Sequence, residues 1–335
     1  KKKNNVIFYS IIFSAILFIN FVYFYLNFNS SINVSDYAFN ELFINYQSGL
    51  IRRGLLGEVF WQFNKIFGIN PKSFFSILFL ILYLMQCYLF FKLSSRLFIF
   101  KIIFISIIFS PALILFHIYD QNMYFVKDVF IKLSFLIHSY LIFKLLGKKN
   151  NNLEYFFNLK FIILPIIFLT IIIHEYQIFY VSLHMLISLS AIKNNFELKK
   201  IFKIYSLLLI PFIFVIVFFG DQNQFEDLSR ILLKFDVDLN PHLGGGIIKY
   251  LGAFYKWHFF YFSYRDFLNL FVSAILSIFI FYSLFQYLID NKIINVWSKY
   301  QKKYLLFFIP TLIPILLTTD HGRNISLISF HLVVY

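Results

Sequence analysis

The stretch VIFYSIIFSAILFINFVYFYLNF, residues Val6–Phe28, runs for 23 residues without a charged side chain. A helix needs about 20 apolar residues to cross roughly 30 Å of hydrocarbon, so this stretch predicts a membrane-spanning helix. Similar apolar runs follow at Phe74–Phe91 and Ile201–Gly220. Because 60% of the 335 residues are hydrophobic, the composition excludes an ordinary soluble domain. The sequence therefore predicts an all-α, polytopic integral membrane helical bundle.

About ten membrane spans fit within a single transmembrane domain covering residues 1–335. The last of them is cut short by the end of the sequence, which suggests a fragment. The spans at 160–174 and 176–192 could also form one long tilted helix, but merging them would place two basic clusters on opposite sides of the membrane and weaken the charge asymmetry. We place the spans near residues 6–28, 74–91, 99–118, 129–146, 160–174, 176–192, 201–220, 267–289, 304–319 and 325–335.

The charges fix an orientation for this bundle. With the N-terminus inside, the inner segments hold 18 of the 30 Lys and Arg residues but three of the 16 acids. The outer side then holds 12 basic and 13 acidic residues. This is the positive-inside pattern, so the N-terminus is expected in the cytoplasm. The net charge of +14 then reflects contact with anionic membrane lipids, and no nucleic acid partner is expected.

Five polar motifs share the predicted outer side, partly within two long outer loops at residues 29–73 and 221–266. Polar groups are energetically costly in a membrane protein and usually mark its functional site, so the functional site is expected on this side. The motifs are IRRGLLGE (Ile51–Glu58), YDQN (Tyr119–Asn122), HEYQ (His174–Gln177), GDQNQ (Gly220–Gln224) and TDHGR (Thr319–Arg323).

The first outer loop combines two arginines with an amphipathic segment. From Leu55, apolar residues recur with helical spacing, which predicts a helix lying in the membrane interface. Gly54 and Gly57 allow a close backbone approach beside it. Arg52 and Arg53 could grip a phosphate or pyrophosphate bidentately. The alternative is that they contact lipid headgroups.

Acids and histidines on the same side could perform proton transfer. Asp36 and Glu41 in the first loop could act as a general base or hold a divalent cation. His174 and Glu175 interrupt an apolar stretch, where they could move protons or pair with an arginine. The segment HEYQI is not the zinc-protease motif HExxH, because position 178 is Ile.

The quartet Asp320, His321, Gly322 and Arg323 is the most enzyme-like cluster, since it supplies a carboxylate, a proton carrier and an anion grip at one helix end. His117, His138 and His184 sit singly on apolar helices and are interpreted as core residues. Supporting candidates on the outer side are Glu58, Asp120, Lys127, Asp128, Asp221 and Arg230.

A first outer loop with acids at Asp36 and Glu41, followed by an interfacial helix, resembles the GT-C superfamily of polytopic glycosyltransferases. The RRGLLGE, HE and DHGR elements also resemble O-antigen (Wzy-type) polymerase-like proteins of bacterial polysaccharide loci. The resemblance implies a polyprenyl-phosphate-linked sugar as substrate, a carboxylate base and a bacterial inner (cytoplasmic) membrane. The sequence departs from the GT-C pattern because its first loop lacks two adjacent acids.

The expected function is therefore transfer of a sugar or glycan from a polyprenyl phosphate or pyrophosphate carrier on the extracytoplasmic face. The catalytic candidates are Asp36, Glu41, Glu175, Asp320 and His321, and no redox cofactor is implied. His174 is a supporting candidate. The alternative function is a membrane transporter or flippase of lipid-linked glycans, which a continuous polar path across the bundle would favour. The phosphate-binding candidates are Arg52, Arg53, Arg230 and Arg323.

Overall fold

The computed structural model describes residues 2–29, 37–94, 113–119, 124–145, 151–190, 195–218, 222–233, 310–311, 326–328 and 330–331. Every element of regular secondary structure in these ranges is a helix, which confirms the predicted all-α class. The helices are α1 (Lys2–Asn29), α2 (Tyr37–Glu41), α3 (Leu55–Phe67), α4 (Pro71–Ser94), α5 (Phe116–Tyr119), α6 (Asp128–Leu145), α7 (Asn151–Asn158), α8 (Leu164–Ile173), α9 (Gln177–Ser190), α10 (Asn195–Tyr205), α11 (Leu209–Val217) and α12 (Gln222–Leu232).

Four helical stretches in the described ranges are long and apolar enough to cross a membrane: Phe8–Leu26, Pro71–Ser94, Leu153–Ile173 and Lys199–Val217. The molecule is therefore a helical membrane protein, while the total of about ten spans stays a prediction. The predicted span 267–289 lies outside the described residues. The predicted spans 99–118, 304–319 and 325–335 are described only at 113–118, 310–311, 326–328 and 330–331.

Helix α6 is the central element of the bundle and packs against α4, α8 and α9. Its apolar side chains divide between two buried cores, one shared with α1, α3 and α4 and the other with α7 to α11. Helix α6 also buries polar side chains, which in a membrane protein is typical of a helix that contributes to a functional site. These buried polar residues are Asp128, Lys132, Ser134, His138 and Ser139.

The helical path that begins with α7 is interrupted next to α6. A π-helical turn (Leu159–Ile163) joins α7 to α8, and α8 ends at Ile173. His174 then adopts an extended backbone with φ of −151°, and α9 begins at Gln177. The turn at residues 174–176 therefore places His174 and Glu175 between two separate helices.

The amphipathic helix predicted from Leu55 is present as α3, and Gly57 sets its distance from the preceding loop. A Cβ atom on Gly57 would lie 2.9 Å from the carbonyl oxygen of Leu42 and even closer to that of Ile44. Only glycine permits this approach, which confirms the expected close backbone contact. The contact fixes the loop that carries Arg52 and Arg53.

We predict that Gly57→Ala destabilises the protein by about 1–3 kcal/mol, because the added methyl group meets backbone atoms that cannot move aside. Thermal unfolding in detergent micelles measures this loss. Gly68→Asn is the matched control, since Gly68 has a φ of 61° that Asn tolerates and open space around its Cβ position. Equal stability of the two variants would contradict the packing argument.

Candidate functional site

The loop between α2 and α3 is held by Glu58, which lies on the first turn of α3. Its carboxylate accepts hydrogen bonds from the backbone N–H of Tyr46 at 3.1 Å and from the Gln47 amide at 3.1 Å. Gln62 donates a third at 2.6 Å. Glu58, a supporting site candidate in the sequence, therefore holds the loop that precedes α3.

Arg53 bridges two carboxylates from distant parts of the chain. Its Nε donates to Glu175 Oε2 at 2.6 Å, its Nη2 donates to Glu175 Oε1, and its Nη1 donates to Glu41 Oε1 at 2.6 Å. The backbone of Arg53 has a φ of 62°, a left-handed conformation that costs a non-glycine residue roughly 1–2 kcal/mol. Strain of this kind persists where surrounding contacts enforce it, and it is concentrated at functional sites.

Two further cations complete the group. Arg52 Nη1 lies 3.2 Å from Glu175 Oε1, and Lys127 Nζ lies 3.5 Å from Glu41 Oε1. Lys127 also donates to the backbone carbonyls of Glu41 at 3.1 Å and Arg53 at 3.3 Å. We call Glu41, Arg52, Arg53, Lys127 and Glu175 the ion cluster.

The ion cluster is buried. Arg52, Arg53 and Lys127 are 8%, 6% and 2% exposed. Guanidinium groups that hold headgroups at a membrane surface would extend outward, so this burial argues for an internal role over the headgroup alternative. Charges taken out of water need partners, and here three cations face two carboxylates.

A histidine and an aspartate adjoin the cluster. His174 Nε2 lies 3.0 Å from Asp128 Oδ1, and His174 Nδ1 lies 4.0 Å from Glu175 Oε2. Asp128 occupies the first turn of α6, where the helix dipole favours a negative charge. The Asp128 carboxylate can therefore orient the imidazole and stabilise its protonated form.

Electrostatics separate the roles of the charged groups. Burial alone would raise the pKa of Glu175, but the neighbouring guanidinium groups of Arg53 and Arg52 lower it well below its usual value. Burial lowers the pKa of Lys127 to about 8 against the opposing effect of Glu41, and lowers the pKa of Arg52 to about 10. Glu175 is therefore an anionic partner of the arginines, a role the sequence left open, and a poor proton acceptor at neutral pH.

Several predicted site residues lie apart from the ion cluster or outside the described ranges. Arg230 lies on α12 with its side chain 74% exposed, 3.5 Å from Asp227, so the structure does not bring it to the cluster. In the described ranges no group of three or more His, Cys, Asp or Glu side chains is arranged to hold a metal ion. The predicted residues outside the described ranges are Asp36, Asp120, Asp221, Asp320, His321 and Arg323.

The interpretation of His138 and His184 as single core residues is incomplete. Both are fully buried, but their Nδ1 atoms lie 3.0 Å apart, so each is the other's partner. A spacing signal was present, because His138 follows Asp128 by ten residues and His184 follows His174 by ten. Lys132, also buried, contacts Leu113 O at 3.3 Å and Ser326 Oγ at 3.1 Å.

Comparison with protein-family models, with curated proteins and with solved structures finds no match for this chain. The class that fold and site define is a helical membrane protein with a buried ion cluster at a helix break.

We predict that Glu175→Gln destabilises the protein by about 3–5 kcal/mol, because two buried guanidinium groups lose their anionic partner. Thermal unfolding of the purified protein in nanodiscs measures the effect. Asp227→Asn removes the acid of the exposed pair with Arg230 and is expected to cause no measurable change in stability. Similar losses in both variants would show that the cluster has no special energetic role.

Lys127 gives the protein a pH signature. Its folded pKa of about 8 lies below the ordinary value of 10.5, so between these values the unfolded chain binds more protons and stability rises with pH. As the pH rises through this window, the free energy of unfolding of the wild-type protein should increase relative to that of Lys127→Met. The increase is at most about 1.4 kcal/mol for each unit by which the folded and unfolded pKa values differ. Unfolding curves at pH 7.5 and 9.5 measure the gain, and parallel shifts in both proteins would refute it.

Proposed function

We propose that this chain is a membrane glycosyltransferase or polysaccharide polymerase. In this proposal it transfers a sugar or glycan from a polyprenyl-phosphate-type carrier on the extracytoplasmic face of the bacterial cytoplasmic membrane. The observation that carries the proposal is the ion cluster, in which segments separated by up to 134 positions in the sequence meet at one buried point.

The composition of the cluster suits a phosphate. Its cations outnumber its carboxylates, and two of them are guanidinium groups on consecutive residues. Guanidinium groups bind phosphate oxygens bidentately, and their attraction is stronger where water is excluded. An anion that enters beside Arg52 and Arg53 would balance the remaining positive charge. The leaving phosphate of a lipid-linked sugar has this charge.

The surroundings suit a lipid chain. Helix α3 starts two residues after Arg53 and buries Leu56 and Phe60 in the core. Four of its apolar side chains are exposed, as expected for a helix lying against acyl chains at the interface. A polyprenyl chain could lie along this face with its phosphate at the arginines. The exposed apolar side chains are Val59, Phe63, Ile66 and Phe67.

For the chemistry, we assign the proton acceptor to His174, oriented by Asp128. The acceptor hydroxyl oxygen would bond to the anomeric carbon while the bond from that carbon to the phosphate oxygen breaks. The hydroxyl proton would pass to the imidazole, and the phosphate would leave with its electron pair toward the arginines. Glu175 and Glu41 would hold the arginines in position. Asp36, Asp320 and His321 remain further candidates for the base.

A transporter or flippase of lipid-linked glycans is the second candidate. It is favoured by the polar side chains buried along the bundle, among them Lys132, His138 and His184. Polar groups at such depth often line the path of a substrate or proton. Transport and transfer differ in product, since a flippase moves the lipid-linked sugar without breaking its phosphate bond.

We predict that membranes containing the protein transfer label from radiolabelled undecaprenyl-phosphate-linked sugar to an acceptor glycan. Arg52→Gln should reduce this transfer about 100-fold or more, because the leaving phosphate loses a buried cation. His174→Gln should reduce it through loss of the proton acceptor. Chromatography of the labelled glycan measures both effects.

Arg230→Gln is the matched control for the transfer assay, because it removes an exposed arginine outside the cluster. It should keep the wild-type rate. Full activity of Arg52→Gln, or an equal loss in Arg230→Gln, would overturn the assignment. Movement of the labelled lipid across the bilayer without transfer would support the flippase.

A further inference from the structure

A small cavity with polar walls lies among α4, α5 and α6, and one of its walls is Asp128, the residue that contacts His174. The volume of the cavity is about 20 Å³. A polar cavity of about 10–15 Å³ or more is large enough to hold one water molecule. Among the residues that line it are Tyr83, Gln86, His117, Asp128, Val129 and Lys132.

Helical spacing brings these side chains together. Tyr83 and Gln86 are three residues apart on α4, and Asp128 and Lys132 are four residues apart on α6. Residues at these spacings lie on the same face of a helix. Because α4 packs against α6, both of these polar faces line the cavity.

Gln86 is the wall residue whose hydrogen bonding is incomplete. It is 1% exposed, and its Oε1 atom has no hydrogen-bond partner among the described residues. Buried polar side-chain atoms are mostly hydrogen-bonded, either to protein atoms or to ordered water. An unsatisfied amide oxygen on a residue that lines a polar cavity of this size therefore indicates a bound water molecule.

The aromatic walls are held by contacts of their own. His117 is stacked on Tyr83 with ring centroids 3.6 Å apart, and its Nε2 atom lies 2.9 Å from Asn20 Oδ1. The Tyr83 hydroxyl donates to Tyr124 O at 2.5 Å. These contacts keep the two rings in place and so maintain the cavity beside Gln86.

The two charged walls select the class of ligand. A cation in the cavity would meet the ammonium group of Lys132, and an anion would meet the carboxylate of Asp128. A small neutral molecule that both donates and accepts hydrogen bonds suits both walls. Asp128 Oδ1 lies 3.0 Å from His174 Nε2, and a carboxylate accepts up to about four hydrogen bonds, so it can accept one from water as well.

We propose that this cavity is a binding site for one internal water molecule, which donates one hydrogen bond to Gln86 Oε1 and the other to the Asp128 carboxylate. The water links α4 to the carboxylate that contacts His174. It therefore extends the polar site from the turn at residues 174–176 into the contact between α4 and α6, whatever ligand the ion cluster binds.

Hydroxyl-radical labelling tests for this water in the full chain, reconstituted in nanodiscs of phosphatidylethanolamine and phosphatidylglycerol. An X-ray pulse converts bound water into radicals that oxidise the side chains beside it, and tandem mass spectrometry locates the oxidised residues. Tyr83 should be labelled at least about tenfold faster than Phe75, a buried ring that packs against Phe43 and Phe60. Equal labelling of Tyr83 and Phe75 would overturn the proposal.

Two variants on α4 test the part played by Gln86. Gln86→Met removes the amide at nearly constant volume and should lower the labelling of Tyr83 at least about fivefold, because the water loses an acceptor. Ser76→Ala is the matched control, since it removes another buried polar group of α4 that does not line the cavity. Undiminished labelling in Gln86→Met, or an equal loss in Ser76→Ala, would contradict the bridge.

Nuclear magnetic resonance of the wild-type protein tests the site without any substitution. Val129 lines the cavity, whereas Val215 is equally buried in the core shared by α7 to α11. The methyl protons of Val129 should receive magnetisation from water, and those of Val215 should not. Equal transfer to the two valines would refute the water site.

Discussion

The contact between Arg53 and Glu175 is the constraint on which the described structure depends. It joins the loop after α2 to the turn between α8 and α9, across 122 positions of sequence. Both segments depart from regular helical backbone where they make this contact. Arg53 takes a left-handed backbone, and the apolar helical path stops at Ile173, so that the turn places the Glu175 carboxylate against Arg53. Glu41 and Lys127 then attach α2 and the start of α6 to the same point.

Such a cluster is an expensive way to hold helices together. Desolvation of charges can cancel their mutual attraction, and well-packed apolar side chains often stabilise a fold as well or better. The apolar helices of this protein already supply two cores. We therefore interpret the charges as serving an anionic ligand, with the helices positioning them.

The sequence predicted the helical class because long uncharged apolar runs leave no other way to satisfy the backbone in a membrane. It also predicted α3 from the helical spacing after Leu55, and it identified Arg52, Arg53, Glu41 and Glu175 as unusual polar residues. It could not assign their pairing. Which carboxylate meets which guanidinium depends on the packing of α6 against α8 and α9, and no local pattern near Glu175 encodes that contact.

The buried histidines also show that the sequence does not reveal which side chains pair in the folded protein. His138 and His184 each appear alone on an apolar helix, and only the equal spacing of ten residues from Asp128 and His174 links them. That spacing has meaning only if the two segments run parallel and side by side, which is a tertiary property. The arginine at position 230 is the converse case, because its position after an apolar run suggested a site, while the structure leaves it exposed.

Binding of a polyprenyl phosphate by the purified protein tests the central claim most directly. Native mass spectrometry of the protein released from nanodiscs should detect one bound undecaprenyl phosphate, and much weaker binding of the uncharged undecaprenol. Arg52→Gln should lose the phosphate-dependent binding, whereas Arg230→Gln should keep it. Equal binding of phosphate and alcohol, or unchanged binding by Arg52→Gln, would contradict the account of the ion cluster as a phosphate site.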